Sequence, residues 1–150
     1  MNRHVEVNVT GIHSREGEPT EKVETSAEGT YELLEDGSRV VEYDENQDLG
    51  SNTMTVHNRV QIDPEGHKME IIRGGATRSR LAFGEKLVYD TEYATPYGSM
   101  QMKVRTNSFD FNKGRNDEEI KVVAEYDLEI EGQVVSQSMI VIDVKNAAAN

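Results

Sequence analysis

Ile120, Val122, Ala124, Tyr126, Leu128 and Ile130 are apolar at six alternate positions, and the residues between them are mostly polar. A period of two is the repeat of a strand with one buried face. Glu131-Gly132 then offers a turn, and Gln133 to Val144 returns. A helix competes for the same stretch. Asn116-Asp117-Glu118-Glu119 resembles a capped helix start with acids in its first turn. Ile120, Val123, Ala124 and Leu128 also fall at helical spacing. The strand fits better, because it accounts for all six positions and uses β-branched residues and tyrosine.

The rest of the chain repeats this pattern. Val5, Val7 and Val9 alternate with polar neighbours, and residues 14–20 are a polar turn. A weaker alternation runs from Glu21 to Tyr31. Glu35-Asp36-Gly37-Ser38 is a hairpin signal, followed by a strand from Arg39 to Glu45 and a loop over 46–52. Met54, Val56, Val60 and Ile62 predict the next strand, closed by Asp63-Pro64-Glu65-Gly66. Met69, Ile71 and Arg73 share a face of the returning strand. Gly74-Gly75 permits a bend. Thr77 to Phe83 and Leu87 to Tyr93 form another hairpin, and Thr95-Pro96-Tyr97-Gly98 leads into Met100 to Thr106. Valine and isoleucine number 24 against 6 leucines, which favours pleated sheet throughout.

About ten short strands joined by hairpin-length turns read as an all-β antiparallel meander. A closed barrel of 8–10 strands hides both sheet edges. A β-sandwich is the competing architecture, but it usually needs longer crossings between sheets. With 150 residues, one domain over 1–145 with a frayed tail at 146–150 is expected.

Charge and composition bound the function. The formal net charge is −12, concentrated in the first third of the chain. Such a surface disfavours nucleic acid and anionic membranes as partners. The absence of cysteine removes disulfides, thiolate metal sites and cysteine nucleophiles. No apolar run approaches the length of a membrane-spanning helix. Glu6 interrupts the stretch where a signal peptide needs apolar residues, so a cytoplasmic protein is the expectation.

Several short motifs resemble the YwiB-like family of Gram-positive bacteria. They are Gly29-Thr30-Tyr31, Tyr43-Asp44-Glu45 running into Asp48-Leu49-Gly50, Ile72-Arg73-Gly74-Gly75-Ala76, Thr95-Pro96-Tyr97-Gly98 and Tyr126-Asp127-Leu128. Their order along the chain carries the resemblance. One departure is Gly74, where the family pattern has a serine. The resemblance implies a calycin-type barrel with a lipocalin-like cavity. It implies no activity, since the family's function is unsettled.

Motifs for chemistry are sparse. Asp44, Asn46 and Asp48 sit at calcium-loop spacing, but Leu49 and Thr55 stand where glycine and a closing glutamate belong. A solvated acidic loop is the better reading. His4, His13, His57 and His67 form no zinc spacing. No nucleophile, P-loop or dinucleotide motif is present, and no cofactor is expected.

The stretch from Ile71 to Gly84 stands out, with Arg73, Arg78 and Arg80 and no acid. Arg73 lies on an apolar face, so it must be paired or face a wet cavity. An internal salt bridge to a carboxylate such as Glu42 or Glu92 would satisfy it. Alternatively, guanidinium groups and glycine N–H groups would hold an anionic or polar small molecule. Arg73, Arg80, Tyr43, Tyr93, Tyr97 and Glu92 are the candidate ligand-binding residues, with Tyr97 at the rim. An enzyme using Tyr97 and Glu92 as acid and base is the less favoured reading. A protein-interaction or homodimerisation barrel with a filled interior ranks between these two readings.

Overall fold

The computed structural model describes residues 2–48, 53–75, 79–95, 98–114 and 119–146. They form ten strands: β1 (Asn2–Ser14), β2 (Glu21–Leu33), β3 (Arg39–Asp48), β4 (Thr53–Ile62), β5 (Lys68–Gly75), β6 (Ser79–Gly84), β7 (Val88–Thr95), β8 (Gly98–Lys113), β9 (Ile120–Ile130) and β10 (Gln133–Asn146). All pair antiparallel in one sheet, in the order β6-β5-β4-β3-β2-β1-β10-β9-β8-β7. This is the predicted meander, and it curls into a nearly closed barrel consistent with a calycin-like fold. No helix among the described residues is long and apolar enough to cross a membrane.

Hairpin chemistry sets the register. Gly37 (φ +93°) and Gly66 (φ +72°) take the left-handed conformation their turns require. Asp63 Oδ1 accepts hydrogen bonds from the backbone N–H groups of His67 and Lys68, which fixes the β4–β5 turn. Among the described residues no ladder joins β6 to β7, so the hairpin expected from Thr77–Phe83 and Leu87–Tyr93 is not formed and the two strands are the ends of the sheet order. The seam is closed instead near its turn. There Gly84 N–H donates to Thr106 Oγ1 at 3.3 Å, tying β6 to β8.

The inward face is apolar, as the alternation predicts. Val5, Val7, Val41, Val60, Ile62, Met69, Phe83, Val104, Val122 and Val144 are buried together. Phe83 meets Tyr126 edge to face, with ring centroids 4.9 Å apart. One half of the barrel is therefore filled. At that end Phe111 lies over Gly66, where an added Cβ would come within 2.4 Å of the ring. Arg39 sits buried beneath Phe111, 5.0 Å from its centroid, and donates to the Tyr31 hydroxyl at 3.0 Å.

Two further elements differ from expectation. β3 runs through 46–48, expected as loop, pairing Asn46 with Thr55 and Asp48 with Thr53. β8 continues well beyond Thr106 to Lys113. The pairing skips Asn107 between Thr106 and Ser108, a β-bulge that shifts the alternation by one. Phe109 and Phe111 consequently return to the interior.

Candidate functional site

The other half of the barrel is open. A cavity of about 360 Å³ lies among the ends of β1, β3, β5 and β9 and the starts of β2, β4, β6, β8 and β10. That volume suits a small molecule. Val9, Val23, Ile71, Leu81, Leu128 and Ile140 give it apolar walls. Two polar clusters interrupt them.

The first cluster joins β3, β4 and β5. Arg73 Nη2 bonds Glu45 Oε1 at 2.5 Å, and Arg73 Nε donates to Asn58 Oδ1 at 2.9 Å. Asn58 Nδ2 donates back to Glu45 Oε1 at 3.1 Å, closing a three-residue ring. The register explains the meeting: Asn58 is opposite both Tyr43 and Arg73, and Glu45 follows Tyr43 by two on the same face. Tyr43 completes the cluster. Burial pushes its pKa up to about 12, helped by the Glu45 charge and opposed by Arg73.

The second cluster faces it from β1, β9 and β10. His13 Nδ1 lies 2.9 Å from Ser138 Oγ, which is 3.2 Å from Ser136 Oγ. The His13 ring folds over Gly11, whose absent side chain leaves it room: an added Cβ would lie 3.2 Å from Nε2. Burial also raises the Tyr126 pKa, partly offset by a hydrogen bond with Ser138.

The described sequence candidates divide between the cavity and an outer groove, and Arg73 borders both. Arg73 and Tyr43 line the cavity together. Arg73 is paired, but its carboxylate is Glu45 and not Glu42 or Glu92. Glu42 points outward to Arg59 across the β3–β4 ladder, at 3.2 Å. Arg80 also points outward, bonding Glu70 through Nε at 3.0 Å, since Leu81 and Phe83 take the inward positions of β6. Glu92 is exposed on β7 and accepts from Gln101 Nε2 at 3.4 Å. Arg73, Arg80 and Glu92 together line an outer groove along the β6–β7 seam, with Ile72, Thr91 and Ser99. Glu92 therefore does not line the cavity. Tyr93 pairs with Met100 on β7, and its side chain lies outside the described part. Tyr97 and Arg78 lie outside the described residues, as do Leu49 to Asn52.

Glu45, Asn58, His13 and Ser138 escaped the sequence reading. Parity was the available signal for two of them: Glu45 continues Val41 and Tyr43, and Asn58 sits between Val56 and Val60. The acidic-loop residues are engaged across the ladder, Asp44 with His57 and Asn46 with Thr55. Among the described residues no three ligating side chains converge on a metal position.

No curated protein matches the chain. Its structure is similar to the crystal structure of the YwiB protein from Bacillus subtilis, with a TM-score of 0.80 over 98% of this chain and 94% of that one. Identity is 18%, so this likeness speaks for the barrel alone. Residues 7–142 match the family described as a domain of unknown function, DUF1934. Spanning nearly all of the barrel, that match places the chain in the DUF1934 family.

Proposed function

We propose that this barrel is a non-catalytic, lipocalin-like carrier or sensor of a small polar metabolite in the cytoplasm. The observation that supports it is the half-filled interior. One end is packed to the turn, while the other keeps about 360 Å³ lined by apolar walls and two hydrogen-bonded polar clusters. A protein selected only for stability gains by filling such space, because voids forfeit contacts. Apolar walls with a few fixed polar groups are the usual make-up of a ligand pocket. The net charge of −12 supports a partner other than nucleic acid or anionic membrane.

Native mass spectrometry of freshly purified protein, with thermal-shift screening of metabolites, tests the reading. A bound small molecule, or stabilisation by a metabolite, is expected. A hundredfold excess over Kd would stabilise by about 2.7 kcal/mol. An empty chain that no metabolite stabilises would contradict it, and an empty dimer would favour the interaction barrel instead.

A further inference from the structure

The Arg73 cluster allows the ligand's chemistry to be narrowed, and the narrowing rests on the binding reading above. A guanidinium carries five N–H donors and a carboxylate two acceptor oxygens. Arg73 commits Nε to Asn58 and Nη2 to Glu45, and Nη1 has no partner among the described residues. Glu45 accepts twice through Oε1, and Oε2 has no described partner. The Tyr43 hydroxyl, close enough to feel both charges, likewise has no described hydrogen bond. The cluster thus has both donors and an acceptor left over, and Arg73 with Glu45 sums to zero charge. Glu45 is the more enclosed partner, its side chain 15% exposed against 37% for Arg73.

These features set what can dock. An anion brought to Arg73 must also approach Glu45, and like charges close together in a desolvated site are disfavoured. A cation meets the same conflict with Arg73. A neutral group that both accepts and donates meets neither. Its carbonyl would accept from Arg73 Nη1 or the Tyr43 hydroxyl, and its N–H would donate to Glu45 Oε2.

We infer that the cavity takes an uncharged amphiphile with a carboxamide-type head at Arg73, Glu45 and Tyr43 and an apolar body against Ile71, Leu81, Leu128 and Ile140. Glu45 is then the residue that sets specificity, rejecting carboxylates that Arg73 alone would attract.

Octanamide and octanoate, matched in size and differing in head charge, are the probes. Calorimetric titration at pH 7.5 should show octanamide binding at least tenfold more tightly to the full chain. Glu45→Gln removes the negative charge and keeps the side-chain shape, and should raise octanoate affinity at least tenfold relative to octanamide. Tyr43→Phe should weaken octanamide several-fold. Octanoate binding as tightly as octanamide to the unsubstituted protein would overturn the inference, even if Glu45→Gln failed to fold. So would a folded Glu45→Gln protein with unchanged preference. If neither probe bound either protein, while a different metabolite did, the head-group assignment would fail and the binding reading would stand. If nothing bound at all, both would fall.

Discussion

Tyr43 couples the cavity to stability through its proton. Its pKa lies near 12 in the folded protein against about 10 for an ordinary tyrosine, because burial disfavours the phenolate. The folded state therefore holds a proton that the unfolded chain gives up between those values. The stabilisation is complete below pH 10 and is lost as pH rises toward 12. Urea unfolding across that window should show the wild type losing stability, and Tyr43→Phe losing less. Tyr126 shifts in the same direction, so part of the decline should remain in the variant. Equal declines in both proteins would place Tyr43 in a wetter setting. At this scale the sequence is readable where parity is unbroken. Arg73 follows Met69 and Ile71 onto the inner face, and Tyr43 follows Val41. The counter-ion of Arg73 was not readable, because Glu45 is one of 28 acids and only the β3–β4–β5 register selects it. Arg80 drew notice through local charge, although its own alternation with Leu81 and Phe83 sends it outward.

Strands are bent here by glycines and bulges. Gly29 faces Tyr43 across the β2–β3 ladder, and an added Cβ would lie 2.3 Å from the Glu42 carbonyl oxygen. That neighbour is backbone and cannot swing aside, so Gly29→Ala should cost about 1–3 kcal/mol through overpacking. Gly74, on β5 beside Arg73, has nothing within 4 Å of where a Cβ would lie. Gly74→Ala should change stability by less than about 0.5 kcal/mol, and chemical denaturation distinguishes the two. Hairpins such as those at Asp36-Gly37 and Pro64-Glu65-Gly66 were legible, since these residues suit the turns they mark, but the turn after Gly84 read as a hairpin and joins two strands that do not pair. The second half of β8 was not. Its bulge at Asn107 breaks the alternation at Thr106, and a reading by strict parity loses the strand there.

At the scale of the whole molecule the barrel has two unlike ends. One is sealed by Phe111, Arg39 and the β4–β5 turn, and the other holds the cavity between facing polar clusters. Closure follows from the number of strands and their hairpin order, both of which the alternation supplies. The free volume does not follow from pattern. It depends on how side chains from nine strands fill the interior, which no single segment encodes. The central claim is that this open half binds a small molecule, and a fluorescence titration tests it most directly. N-phenyl-1-naphthylamine is neutral, largely apolar and bears one N–H. It should bind the protein saturably, one molecule per chain, with enhanced emission. Ile140→Trp replaces a branched aliphatic side chain of the cavity wall with a bulky indole and should abolish that binding while the barrel stays folded by circular dichroism. Absence of saturable binding to the unsubstituted protein, or equal binding to a folded Ile140→Trp variant, would contradict the claim.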